Sequence, residues 1–254
     1  MAFEQWAALP WVKSQKDKIQ WGQLTGSALS IAIAEGVKQQ NDLVLIVTPD
    51  TPSALRLETE LEYLLPDNPV MVFPDWETLP YDHFSPHQDI ISARLATLNT
   101  LKNEQQSVLI VPVSTLMLRT APASFIYGST LNFKVGDKLD THNLRSNLEQ
   151  AGYLNVQQVM EHGEYAIRGS IVDLYPMGSV HPFRLDFFDD ELDSIRLFDV
   201  ETQRSDEKVD KIELLPAHEF PTNEADVERF RINYRDKFGA SSEQDSVYMQ
   251  VSKG

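Results

Sequence analysis

Apolar residues fall into two regimes along the chain. In the first half, continuous apolar runs alternate with stretches whose apolar residues recur every three or four positions. The runs are Leu43–Thr48 (LVLIVT), Val70–Phe73 (VMVF) and Val108–Val111 (VLIV). Short β-branched runs of this kind predict strands buried on both faces of a parallel sheet. Leu57, Leu61, Leu64 and Leu65 keep helical spacing, with Thr51-Pro52 as a start signal and Pro66 as a stop. Ser85-Pro86 predicts a second helix start, with Asp89 in its first turn and Ile91, Leu95, Leu98 and Leu101 on its buried stripe. Ile31–Val37 reads as helical and Val113–Arg119 as a short helix. Strands alternating with helices predict right-handed parallel crossovers in an open α/β sheet.

The pattern changes near residue 126. One helix is predicted, capped by Asp140 or Thr141, with Leu144 and Leu148 on one face and Gly152 as its stop. Beyond it the alternation has the period of a strand, in Tyr165–Tyr175, Phe183–Phe188 and Leu192–Phe198. The last two read as a hairpin across Asp189-Asp190. A final helix is predicted from Thr222, turning Val227, Phe230, Tyr234 and Phe238 inward. The expected organisation is an α/β domain over 1–125, an inserted small α+β domain over 126–213, and a returning segment of the first domain, truncated, over 214–254.

Composition narrows the function. The 254 residues carry 22 Lys+Arg against 38 Asp+Glu, a net charge of −16. Such a surface repels phosphate backbones and argues against non-specific nucleic-acid binding. Half of the excess, 9 basic against 17 acidic residues, lies in 126–213, concentrated at Asp186, Asp189, Asp190, Glu191 and Asp193. The absence of cysteine excludes disulfides and thiolate metal sites. No apolar run approaches the roughly 18 residues of a membrane span. The start, MAFEQWAALPWVK, lacks the basic-then-apolar order of a secretory signal, so a cytoplasmic protein is expected.

Candidate chemistry is thin. Leu24–Ser30 (LTGSALS) precedes a helix as a phosphate loop does. In the register that gives Ser30 the hydroxyl position, Gln23, Ala28 and Leu29 stand where G-x-x-x-x-G-K-[ST] needs Gly, Gly and Lys. Leu29 cannot neutralise a phosphate, and Gln23 and Ala28 put side chains where backbone must approach. Gly26, with Thr25, is enough for a turn that caps a helix, so no nucleotide cofactor is expected. A metal reading of Asp82, His83, His87 and Asp89 is weakened by Pro86, which separates the two histidines, and no metal is expected. His162 and Glu164 flank Gly163, but no nucleophile sits in a recognisable elbow, so no catalytic residue is assigned.

A recognition surface is the stronger candidate. In Phe183–Phe188 (FRLDFF), alternation sends Phe183, Leu185 and Phe187 to one face and Arg184, Asp186 and Phe188 to the other. The first face is apolar and belongs to the core. An aromatic beside an arginine on a solvated strand face has the composition of an interface hot spot, unless a loop or neighbouring domain covers Phe188. Arg168 lies in IRGS, where Gly169 could form a bulge, and periodicity leaves its face open.

FPDWETLPYDHFSPHQDIISARLATL (73–98), LIVPVSTLMLR (109–119), MEHGEYAIRGSIVDLYP (160–176) and PFRLDFFDDELDSIRLFD (182–199) closely resemble the bacterial transcription-repair coupling factors, over nearly the whole chain. Family members are far longer, and the resemblance is to their N-terminal part, which is similar to the excision-repair protein UvrB. It implies a RecA-like, helicase-like domain with a degenerate P-loop, in keeping with Gln23, Ala28 and Leu29, and an inserted UvrA-binding domain. The implied function is a non-catalytic adaptor that recruits UvrA to lesions that stall RNA polymerase, in transcription-coupled nucleotide excision repair. The family's ATP-driven translocase and its polymerase- and DNA-binding parts would lie outside this chain, and a C-terminal domain would mask the UvrA-binding surface in the full-length protein. The family's arginine in Y-x-x-R-G falls on Arg168. Its arginine and second phenylalanine in F/Y-R-L-D-F-F fall on Arg184 and Phe188. Docking would then pair Arg168 and Arg184 bidentately with UvrA carboxylates, with Phe188 as the apolar anchor. A cryptic P-loop ATPase or helicase is the alternative.

Overall fold

The computed structural model describes residues 18–39, 42–78, 84–102, 107–221, 223–239 and 246–253. The chain forms two compact units that divide between Arg119 and Thr120.

The first unit contains α1 (Ala28–Lys38), β1 (Val44–Thr48), α2 (Thr51–Leu64), β2 (Val70–Val72), α3 (Gln88–Thr100), β3 (Val108–Pro112) and α4 (Val113–Leu116). The strands form a parallel sheet in the order β1-β3-β2, with Val108 opposite both Val44 and Val70. The crossover pattern expected from the alternation is present. Ile33, Ala34 and Val37 of α1 and Ala54, Leu57 and Leu61 of α2 form one core with Val108 and Ile110 of β3. Val44, Ile46, Val70 and Val72 pack on its margin.

Burial of β1 on both faces does not hold. Leu45 is 52% exposed and Val47 47%, because β1 is the edge strand and the packing of α1 and α2 falls on the other face. Helix starts also move. Asp50, not Thr51, caps α2 by accepting from the Ser53 N–H at 2.8 Å, and Thr51-Pro52 open the first turn. Asp and Thr both cap well, and Pro52 is tolerated at either placement. Helix α3 starts after His87 rather than at Ser85-Pro86. Its buried side includes Arg94, whose guanidinium lies over Phe73 and Trp76, 4.1 and 4.7 Å from the ring centroids, and donates to the Pro74 carbonyl.

The second unit holds α5 (Ala123–Gly128), β4 (Leu131–Lys134), α6 (Thr141–Gln150), β5 (Leu154–Asn155), β6 (Glu164–Arg168), β7 (Ile171–Leu174), β8 (Phe183–Phe188), β9 (Glu191–Phe198), β10 (Ser205–Val209), β11 (Lys211–Leu214), α7 (Glu224–Phe238) and α8 (Ser246–Lys253). Six strands form one sheet in the order β10-β9-β8-β7-β6-β5, antiparallel apart from the β5–β6 pair. Strands β4 and β11 form a separate antiparallel pair. Tyr165, Val172, Leu174, Leu185, Phe187, Leu192 and Ile195 are buried along the large sheet, as are Leu144 and Leu148 of α6.

Tyr165–Tyr175 is two strands, not one bulged strand. Gly169, at φ +63°, turns the chain so that Arg168 pairs with Ile171. The expected β8–β9 hairpin is present, with Asp189 at φ +53° in its turn, a conformation a short polar side chain tolerates. The aromatic stripe of the last helix also differs. Phe230 and Tyr234 of α7 stack with Tyr248 of α8, and Phe238 is exposed, so the stripe closes a helix pair rather than the sheet's core.

Gly152 ends α6 at φ +87°, and a Cβ there would lie 2.7 Å from His218 Cδ2. Burial pushes the His218 imidazole below its ordinary pKa, and the ring lies against this turn. Gly152→Ala is expected to cost about 1–3 kcal/mol through backbone strain and overpacking, read as a lowered midpoint in urea.

Candidate functional site

The β6–β7 turn and the β8–β9 hairpin bring the sequence-predicted residues to one face of the six-stranded sheet. Residues directly opposite on antiparallel strands share a face. Asp173 of β7 is opposite Arg184 of β8. Arg184 Nε donates to Asp173 Oδ1 at 2.7 Å and Nη2 to Oδ2 at 2.9 Å, a bidentate pair. Arg184 Nη1 donates to the Gln203 carbonyl at 3.2 Å and to Ser205 Oγ at 3.3 Å. The Arg184 guanidinium also lies over Phe198, 5.1 Å from the ring centroid. Hydrogen bonding to Asp173 is the main cause that raises the Arg184 pKa. Arg168 donates through Nη2 to the same carboxylate. This settles the orientation of Arg168, which shares the face of Arg184.

Asp173 is the residue that sequence reasoning missed. Its side chain has no exposed surface, against 51% for Arg168 and 17% for Arg184. The signal was present as a lone acid in the strand Ile171–Leu174 (IVDL), but its partner emerges only from the strand register. In this structure the bidentate pairing of Arg184 is with Asp173 of its own sheet. The edge of its guanidinium suited to a carboxylate already holds Asp173. Arg168, half exposed and bonded to Asp173 through Nη2, is the arginine with a carboxylate-pairing edge to offer.

Phe188 is 74% exposed at the hairpin end of β8, opposite Glu191. No loop covers it among the described residues. Along the same strand, Asp186 accepts from Ser194 Oγ at 3.2 Å and lies 3.7 Å from Arg196 Nε. The face therefore runs from a half-buried ion cluster to an exposed aromatic.

The other candidate sites are occupied structurally. Gln23 and Gly26 adopt positive φ in the turn before α1, Ala28 opens the helix, and Leu29 packs against the first unit's core. Ser30 is buried and its hydroxyl donates to Glu60 of α2. The side chain at the hydroxyl position of a phosphate loop thus ties two helices together. Asp82 and His83 lie outside the described residues. His87 caps α3 by accepting from the Asp89 N–H at 3.3 Å, and no three potential metal ligands cluster among the described residues. His162 Nε2 contacts the Ser179 carbonyl at 2.8 Å, and Glu164 accepts from the Met160 and Glu161 N–H groups. Both are spent on turns.

Removing one partner of a buried ion pair strands the other charge. Asp173→Asn is expected to cost about 3–5 kcal/mol of folding stability, measured by denaturant unfolding. Arg168→Ala, at the exposed end of the same cluster, is expected to cost less than about 1 kcal/mol.

Residues 131–220, from β4 to the segment before α7, match the family model of the UvrB interaction domain. Over 233 residues the chain is 54% identical to the transcription-repair-coupling factor of Escherichia coli K12, covering 92% of this chain and 20% of that protein. The corresponding factor of Haemophilus influenzae is 50% identical over 234 residues, with the same coverage. That of Bacillus subtilis 168 is 31% identical over 196 residues, covering 77% of this chain and 17% of the relative. The chain spans about a fifth of the length of the curated relatives it matches. No described helix is long and apolar enough to cross a membrane. By sequence the chain is similar over most of its length to a part of the transcription-repair-coupling factors, and its residues 131–220 match the UvrB interaction domain.

Proposed function

We propose that this chain is a non-catalytic adaptor that recruits UvrA when RNA polymerase stalls at a DNA lesion, acting in the cytoplasm in transcription-coupled nucleotide excision repair. The observation that carries the reading is the exposed Phe188 beside the Arg168–Asp173–Arg184 cluster, within the UvrB interaction domain. An exposed aromatic next to a semi-rigid cation is the anatomy of an interface hot spot. Asp173 removes the entropy cost of fixing Arg184, and Arg168 meets a UvrA carboxylate with its remaining donors. Residues 1–125 are a RecA-like domain whose phosphate loop is degenerate, a UvrA-binding domain is inserted over 126–213, and 214–254 begins the return to the first domain. In the longer family proteins, polymerase and DNA contacts and ATP-driven translocation fall to other domains, and a C-terminal domain masks this surface.

The reading is tested by titrating UvrA against the whole chain. Phe188→Ala and Arg168→Ala are each expected to weaken binding about 10- to 100-fold with an unchanged unfolding midpoint, as hot spots do. Normal binding by both variants would overturn the surface assignment. Arg184→Ala is a poorer probe, because it also strands Asp173.

The turn at Gly26 ahead of α1 keeps part of the form of a phosphate loop, so a cryptic ATPase is the rival reading. Leu29 is committed to the core and Ser30 to Glu60. Titration of labelled ATP with Mg²⁺ is expected to give no saturable binding up to millimolar nucleotide. Micromolar binding would favour the rival.

A further inference from the structure

The ion cluster is one end of a longer row. Strand register sets Asp173, Arg184, Arg196 and Lys208 directly opposite one another across β7, β8, β9 and β10, all on one face. Neighbouring strands are about 4.8 Å apart, so three cations stand side by side at that repeat. Like charges in direct opposition destabilise a sheet. Asp173 relieves one end, where it already serves both Arg184 and Arg168.

The rest of the row is under-compensated. Arg196 has its side chain 39% exposed, and its only ion-pair neighbour within 4 Å among the described residues is Asp186 at 3.7 Å. Its Nε is buried and makes no hydrogen bond. Lys208 is exposed and enters no ion pair among the described residues. Asp206 and Glu207 lie in the irregular stretch of β10 between Ser205 and Lys208, and neither forms an ion pair with Arg196 or Lys208. A chain of net charge −16 thus keeps adjacent, poorly neutralised cations in register on the face that carries Phe188.

We infer that Arg196 and Lys208 extend the docking face past Arg168, Arg184 and Phe188 and receive an acidic segment of the protein partner, its carboxylates laid across β8, β9 and β10. The inference rests on the adaptor reading and adds its electrostatic register. A protein carboxylate fits the row better than a nucleic-acid backbone does. The strongly acidic hairpin of Asp189, Asp190, Glu191 and Asp193 flanks the row and would repel a continuous phosphate chain, whereas a short acidic segment can end before it.

The test uses the whole chain and purified UvrA, with Arg196→Gln, Lys208→Gln and the double variant beside Arg168→Ala and Phe188→Ala. Glutamine keeps the length and polarity of the side chain while removing the charge, and unfolding midpoints check that each variant is folded. The double variant is expected to bind UvrA at least about 10-fold more weakly at low salt and to show a shallower dependence of affinity on ionic strength. Arg196→Lys, which keeps the charge, is expected to recover most of the loss. If Arg168→Ala and Phe188→Ala weaken UvrA binding while the double variant does not, the extension is overturned and the adaptor reading stands. If none of the variants weakens binding, both fall. If the double variant binds UvrA normally but loses affinity for a short DNA duplex that the unmodified chain binds, the row is a nucleic-acid contact and the inference is overturned.

Discussion

A single buried carboxylate organises one face of the six-stranded sheet. Asp173 has no exposed surface, and its position requires neutralisation because an isolated ionised group in the interior is too costly to keep. Arg184 supplies that neutralisation from the facing strand and is fixed by four hydrogen bonds that it donates, two of them to Asp173. Arg168, at the end of the neighbouring strand, reaches the same carboxylate from its exposed side. Two long flexible cations are thereby brought to a defined spacing before any partner arrives, which reduces the ordering cost of association. Nearby, Val159, Ala166 and Phe198 form a small apolar cluster on the sheet, with Phe198 beneath the Arg184 guanidinium. The site is thus half core and half surface.

In the proposed adaptor the acidity of the chain acts as a filter rather than as a source of binding. Steering depends on the local pattern, and the pattern here is a short cationic row bordered by an acidic hairpin. In the proposed docking, that combination admits a partner with a matching acidic patch of limited length and disfavours extended polyanions. Phe188, standing beyond the ion cluster, offers the apolar surface that charge pairs alone lack, since exposed pairs contribute little in water.

The first unit shows a nucleotide-style turn turned to packing. Positive φ at Gly26 still redirects the chain into α1, but Leu29 joins the core and Ser30 bonds Glu60. At the position where a phosphate loop carries its lysine, Leu29 makes a structural contact that uses its apolar side chain. An apolar side chain at that place has a core to enter.

The sequence by itself determined the elements and much of their pairing. Apolar runs placed β1, β2 and β3, helical spacing placed α2, α3 and α6, and Asp189-Asp190 placed the β8–β9 hairpin, because these depend on local periodicity and turn chemistry. Alternation within Phe183–Phe188 also placed Phe188 and Arg184 on the polar face. Only the tertiary structure decided which face Arg168 takes, that β1 leaves Leu45 and Val47 open, and that the aromatics of α7 meet Tyr248. It alone brought Asp173 between the two arginines and set Arg196 and Lys208 in line with them. Those outcomes rest on strand register and on which elements cover which faces, and both are settled by contacts between residues far apart in the chain, where local periodicity carries no information.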